Sequence, residues 1–226
     1  MLKNIIDIIA SPQEAFQRLK EKPTILLPLL LILISTASIQ VGYFYTVDPD
    51  FLVDQLVAQA MQVVSTPEGA LRDAYASTSP ATLAISSAVS VVIVLTLIMA
   101  AYAGYLSLIS KFTYDGISFR QWFALVCWTG IPLLFSAVAS WVAILSSTDG
   151  LISLQQLSPL SLNNLIFQAQ GNFANLLNSL NLAQLWSLLL MVLGYAHWRA
   201  KKPLSSAVII LLPYVIVYGI WALVIL

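Results

Sequence analysis

Charge is what this chain lacks. Of 226 residues only 9% are Asp, Glu, Lys or Arg, while 59% are apolar and the mean hydropathy is +0.88. A soluble domain carries about 25% charged residues. The shortfall, with apolar runs of membrane-crossing length, excludes an ordinary soluble fold and points to transmembrane helices. Cysteine is nearly absent too. A lone Cys127 forms no internal disulfide and no cysteine-based metal site. Histidine occurs once, as His197 beside Trp198 and Arg199 at the edge of an apolar run, where an interface residue is the expected reading rather than a ligand or base. No ionisable Asp, Glu, Lys or Arg falls inside an apolar run. Proton relays and coupled transporters carry such groups at membrane depth, so a secondary transporter and an aspartyl intramembrane protease are disfavoured. A serine nucleophile has no base beside it.

Five apolar stretches predict an all-α integral membrane protein with five spans: Thr24–Tyr45, Leu83–Ile109, Trp122–Ser147, Leu182–Trp198 and Leu204–Leu226. The first covers roughly 33 Å at about 1.5 Å per residue, enough for the hydrocarbon core. The last two form separate helices because Arg199, Lys201 and Lys202 lie between them, and each cation at mid-membrane costs about 2.5–3.5 kcal/mol. Lys3, Arg18, Lys20, Lys22, Lys111, Arg120, Arg199, Lys201 and Lys202 then share one side. The loop Thr46–Thr82 holds only Arg72, against Asp48, Asp50, Asp54, Glu68 and Asp73, and Thr148–Asn181 holds no Lys or Arg. The positive-inside bias places the N-terminus in the cytoplasm and the C-terminus outside. Trp122, Trp186 and Trp198 sit at span ends as expected interfacial anchors.

Before the first span, residues 1–23 read as two short helices in the headgroup zone, ahead of a membrane bundle over 24–226. Leu2, Ile5, Ile6 and Ile9 share a helical face, with Lys3 and Asp7 away from it. Ser11-Pro12-Gln13-Glu14 looks like a capped start, with Glu14 completing a capping box, and Phe16 and Leu19 supply apolar contacts. These helices either anchor the bundle or offer a docking surface to a protein partner. The apolar run behind them has no cleavage site, so no signal peptide is expected.

Of the outer loops, the first predicts a helix from Asp48-Pro49-Asp50 with an apolar face of Val53, Leu56, Val57, Ala60, Met61 and Val64. A second helix starts at Thr66-Pro67-Glu68 and runs to about Ala76, both lying on the membrane surface. Asp48, Asp50 and Asp54 match no calcium-loop spacing. The second loop, residues 149–181, carries two apolar faces: Leu165, Ile166 and Ala169, then Phe173, Leu176, Leu177 and Leu180. It lies on the surface or re-enters the bilayer. The surface course is the expected one, because its six Asn side chains need partners if buried. Small residues four apart (Ser86/Ser90, Ala100/Gly104, Ser136/Ser140, Ala139/Ala143) suit close helix contacts, within the chain or in a homo-oligomer. Pro28, Pro132 and Pro213 predict kinks, with a hinge at Pro132 as the alternative. Ser35, Ser38, Gln40, Thr96, Ser136 and Ser140 are uncharged polar groups within spans, suited to hydrogen bonds between helices.

In chain order, Ser11-Pro12 with Ala15-Phe16, a basic segment and Pro23, then Gly116-Ile117-Ser118-Phe119 leading to Gly130-Ile131-Pro132, then Asn181–Gly194, then Ser205-Ser206-Ala207 resemble the bacterial branch of the Yip family, the Ypt/Rab-interacting membrane proteins, over about residues 4–222. The resemblance implies a five-span helical membrane domain with a cytoplasmic N-terminus, here in a bacterial cell (inner) membrane. Eukaryotic members bind Rab GTPases, act in vesicle traffic and shape membranes. The acidic, proline-containing N-terminal region those members carry is not among these residues, so no GTPase contact is assigned. With no catalytic, cofactor or metal residue to name and nothing that points to nucleic acid, the expectation is a non-enzymatic scaffold, partner-binding or membrane-organising protein. Its partners are the lipid bilayer, a protein at the N-terminal helices, and a second copy of the chain. The alternative is a channel or carrier for a neutral or lipid-like solute, and a cavity lined by Ser35, Ser38, Gln40 or Asn side chains would favour it.

Overall fold

The computed structural model describes residues 2–61 and 64–225. The side chains of Leu2 and Lys3, and Leu226, used in the sequence reading, lie outside the described residues. The chain is helical: α1 (Leu2–Ala10), α2 (Pro12–Glu21), α3 (Leu26–Thr46), α4 (Pro49–Ala60), α5 (Glu68–Ala76), α6 (Pro80–Thr113), α7 (Phe119–Thr129), α8 (Leu133–Ser146), α9 (Asn172–Ser179), α10 (Leu182–Arg199) and α11 (Pro203–Ile225). Two short helical turns, Leu154–Leu157 and Asn163–Phe167, lie between α8 and α9.

Four stretches are long and apolar enough to cross a membrane: α3, α6, α7 with α8, and α11. The α7–α8 rod is the central one, buried along most of its length, while α3, α6 and α11 present apolar side chains such as Leu26, Ile93, Leu97, Val215 and Leu223 outward, as helices in lipid do. At Pro132 the rod changes to a tighter turn, with Leu133, Leu134 and Phe135 each bonding three residues back. Thr129 Oγ1 donates to the Leu125 carbonyl at 2.8 Å just before this break.

The expected fourth span, Leu182–Trp198, is α10, and it is not among the four. Its cap shows why. Asn181 Oδ1 accepts from the Ala183 amide while Nδ2 donates to Ser136 Oγ at 2.7 Å. Ser136 lies ten residues short of the end of α8, about 15 Å down the helix at 1.5 Å per residue. From there α10 runs antiparallel to the rod until Tyr195 and Trp198 stack on Trp122. It therefore begins half-way along its neighbour.

The chain reaches that depth through residues 149–181, which turn into the bundle rather than over its end. Ser140 Oγ donates to the Leu157 carbonyl at 2.6 Å, and Ser161 bridges antiparallel to Asn181. Three of the six Asn side chains that need partners on this course find them within the segment. Asn163 exchanges both its amide atoms with the Ala169 backbone, Asn164 Nδ2 donates to the Gln155 and Ser158 carbonyls, and Asn178 Oδ1 accepts from Ser161. The surface course is thus corrected. Of the apolar residues read there, Leu176 and Leu177 are buried, whereas Leu165, Ile166 and Phe173 stay exposed.

At the basic end, α1 and α2 do not lie beside the bundle but inside it. Ala15, Phe16 and Leu19 are fully buried in the main apolar cluster, and Phe16 and Leu125 close on Gly194 of α10 so tightly that an added Cβ there meets Leu125 Cδ1 at 2.6 Å. Ser11 makes no side-chain cap, contrary to the capping-box reading. Glu14 instead turns toward Arg18, 3.6 Å away. The face of α1 is also shifted. Ile8 is buried with Ile5 and Ile9 against it, and Ile6 is exposed. Two Ile pairs leave the helical period ambiguous, and the Arg18 pair with Asp7, backed by Asn4, turns Asp7 inward and settles it.

At the opposite end a second cluster gathers Tyr43, Phe44, Val47, Leu52, Ala84, Ile144, Ile152 and Leu157. Asp48 caps α4 by accepting from the Phe51 amide at 2.9 Å, as its sequence position predicted. The buried residues of α4 are Leu52 and Val57, while Met61 and Val64 of the expected face are exposed. Gly150, at φ +71°, lets the second loop press on α4's start: an added Cβ would sit 2.9 Å from the Asp48 nitrogen.

Candidate functional site

Since α10 reaches only half-way, a cleft opens at mid-depth beside α6. It has two chambers, and Ile98 lines both. The first, about 470 Å³, lies between α3, α6, α8 and the inward-turned segment. Its polar lining is Thr36, Gln40, Ser136, Ser140 and Ser158, set among Ile39, Val94, Leu95 and Leu157. Gln40 Oε1 accepts from Ser87 Oγ at 3.0 Å, which holds the amide across α3 and α6. Thr36 returns its hydroxyl proton to the Ile32 carbonyl of its own helix, and Ser140 spends its proton on the Leu157 carbonyl. Every such group is neutral, so the chamber offers weak hydrogen bonding and no charge.

The structure thus brings together only some of the polar residues read from the sequence. Gln40, Ser136 and Ser140 line the chamber. Ser35 donates to the Ile32 carbonyl at 2.9 Å, and Ser38 accepts from Trp141 Nε1 at 3.1 Å; neither faces it. Thr96 is spent on Val92 of its own helix. Gly42 admits the Trp141 ring against the α3 backbone, where a Cβ would collide with it.

The second chamber, about 480 Å³, lies between α6, α10 and α11 and is lined by Tyr102, Tyr105, Gln184, Tyr214, Tyr218 and Trp221 among apolar side chains. Pro213 explains two of these. Inside a helix it removes the N–H that would bond the carbonyl four residues back, that of Ile209. Tyr105 supplies the missing donor, its hydroxyl 2.9 Å from the Ile209 carbonyl, and Tyr102 donates to the Ile210 carbonyl at 2.5 Å. Two tyrosines of α6 thus hold α11 at its proline. The sequence reading missed them. The signal was there, since a mid-run proline frees a carbonyl that some neighbour must satisfy.

Charged groups cluster outside the cleft. Arg199 pairs with Asp115, with side-chain exposures of 9% and 13%. The same Arg199 donates to Thr113 Oγ1 at 2.7 Å and lies over the Tyr195 ring, its Cζ 5.6 Å from the centroid. This joins the α6–α7 turn to the α10–α11 turn. Asp115 was not singled out in the sequence. At the acidic end Asp54 pairs with Arg72 at 2.6 Å, leaving Asp48 and Asp50 in the first turn of α4. Among the described residues no three His, Cys, Asp or Glu side chains gather as metal ligands would. His197 is exposed, with its ring 6.4 Å from that of Phe16.

Trp122 and Trp198, read as interfacial anchors, are corrected. They are 0% and 4% exposed, and their indole N–H groups donate to Ser110 Oγ at 2.7 Å and to the Phe16 carbonyl at 2.8 Å. Among the described aromatics at that end, Phe112 and Tyr114 are the most exposed, at 82% and 94%, with Phe119 at 46%.

A family model described as the Yip1 domain matches residues 6–226, nearly the whole chain. The chain belongs to the Yip1 domain family. No curated protein and no solved structure matches it. The expected resemblance thus holds at the level of the family. Gly130 and Pro132 of one quoted motif form the break between α7 and α8, and Asn181 of another is the cap that starts α10 at mid-depth. In this Yip1 domain Gly130, Pro132 and Asn181 thus shape the backbone.

Proposed function

We propose that this Yip1-domain chain is a non-enzymatic multi-pass membrane protein that organises the bilayer around it. The observation that carries the reading is the packing of α1 and α2 into one end of the bundle. There Phe16 of α2 is buried in one apolar cluster with Trp122 of α7 and Trp198 of α10, whereas beyond Ser136 α10 is replaced by an irregular segment. Two helices wedged into one end act on one leaflet more than on the other. The polypeptide crosses five times, the fourth crossing made by residues 149–181 together with α10, and residues 1–23 serve as a wedge on the 24–226 bundle. The nine cations at the basic end support a cytoplasmic N-terminus and an outward C-terminus, in a bacterial inner membrane. The apolar side of α2 is consumed in the bundle. Its outer polar side, with Gln13, Gln17 and Glu21, is what remains for a protein partner, and the exposed Ser86 and Ser90 of α6 suit a second copy.

The test is curvature sorting. Full-length chain reconstituted into vesicles of mixed diameter is expected to enrich in the smallest, and a chain lacking residues 1–22 is expected to lose that enrichment. Equal density at all diameters contradicts the reading.

The mid-depth cleft favours a second reading, a binding or carrier role for a neutral, lipid-like solute, because its polar groups are uncharged and its walls apolar. Efflux of a neutral solute from vesicles that is unchanged by Gln40→Leu would remove this reading.

A further inference from the structure

In the second chamber two polar groups are uncommitted. The hydroxyls of Tyr102, Tyr105 and Tyr218 are taken up by the carbonyls of Ile210, Ile209 and Ser179. The Gln184 amide and the Tyr214 hydroxyl line the same space and have no hydrogen-bond partner among the described residues. Gln184 lies less than one turn beyond Asn181, the residue bonded to Ser136, so its amide stands at mid-depth. In hydrocarbon no water pairs with it, so a ligand that accepts from it is favoured.

The walls around these two groups are aromatic. Tyr214, Tyr218 and Trp221 recur at helical spacing along α11, with successive rings stacked at 6.4 and 6.2 Å, and Tyr102 closes the row 5.6 Å from Tyr214. About 480 Å³ lies between them, within the usual range for a small-molecule site. A bare acyl chain would fill this volume but leave the amide and hydroxyl unpaired. A lipid with a charged or zwitterionic head would hold its head at the surface, far from Gln184. The occupant that satisfies both features is a neutral molecule soluble at the bilayer centre, with a flat ring for the aromatic faces and ring oxygens for the two donors. We propose that the chamber between α6, α10 and α11 binds a prenylated quinone or a close ring-carbonyl analogue, its ring against Tyr214 and Tyr218 and its oxygens accepting from Gln184 Nε2 and Tyr214 Oη. The site stands apart from the curvature reading and does not depend on it.

Trp221 makes the site observable. The full chain in nanodiscs is titrated with a decyl-substituted benzoquinone, which quenches indole fluorescence. Saturable quenching is expected, with a component that disappears in Trp221→Phe. Gln184→Leu is expected to weaken the midpoint at least 10-fold and Tyr214→Phe about 3-fold, while Ser158→Ala, in the other chamber, leaves it unchanged. Because a variant can alter folding, the deciding comparison uses the unaltered chain: decylbenzene, with the same tail and ring but no oxygens, is expected to compete at least 10-fold more weakly than the quinone. Equal competition by decylbenzene, quenching that does not saturate, or a folded Gln184→Leu with an unchanged midpoint each overturns the proposal.

Discussion

At the basic end of the bundle, Trp122, Trp128 and Trp198 each bury an indole and spend its N–H on another element, and Phe16 fills the space between them. At the same end Lys20 donates to the Trp198 carbonyl at 2.7 Å while its own carbonyl accepts from Gln121 at 2.8 Å. Toward the other end the corresponding space holds Asn163, Asn164, Asn178 and Asn181, short helical turns and a cleft, and the Asn178 Nδ2 is buried with no partner among the described residues. One end is closed by large rings in close contact. The other is closed by amides bonding backbone, which fixes direction but packs thinly. The first arrangement resists opening; the second leaves room for something to enter.

Substitutions at the two ends are expected to differ in cost. Phe16→Ala removes a fully buried ring from the basic end and is expected to cost about 3–5 kcal/mol, read as an earlier unfolding midpoint in a detergent titration. Arg199→Met strands Asp115 in a nearly closed site and is expected to cost about 3 kcal/mol, most of it recovered in the double variant Arg199→Met with Asp115→Leu. Tyr105→Phe leaves the Ile209 carbonyl without its donor, for about 1–2 kcal/mol. Pro213→Ala restores the N–H for that carbonyl, so in its background the Tyr105→Phe cost is expected to vanish. Arg72→Ala breaks an exposed pair at the acidic end and is expected to change stability by less than about 0.5 kcal/mol. If Arg72→Ala proved as damaging as Phe16→Ala, the two ends would not differ as described.

Much of the basic end was legible from residue order alone. The cations Arg199, Lys201 and Lys202 separate α10 from α11, and Pro23 ends the α2 segment; at the acidic end Asp48 starts α4. The tryptophans were misplaced because an indole at a run's end has the same local pattern whether it faces headgroups or Phe16, and only α2 tucking inward decides between them. The α1 face was misjudged for a similar reason: Ile5, Ile6, Ile8 and Ile9 fit two faces. The course of residues 149–181 was misread because pairing the Asn side chains depends on groups six or more residues away, such as the Ala169 carbonyl for Asn163 or the Ser161 hydroxyl for Asn178. Such pairings leave no periodicity. Of the cleft, Gln40, Ser136 and Ser140 were visible as polar residues in apolar runs, whereas Gln184 was not singled out.

The central claim is that α10 starts at mid-depth, and a pair of cross-links tests it directly. In a Cys127→Ser background, Ser136→Cys with Asn181→Cys is expected to form a disulfide in native membranes, while Ser147→Cys with Asn181→Cys is expected not to. Cross-linking of the 147–181 pair with none at 136–181 would put the start of α10 at the end of α8, restoring a surface course for the preceding segment and closing the cleft.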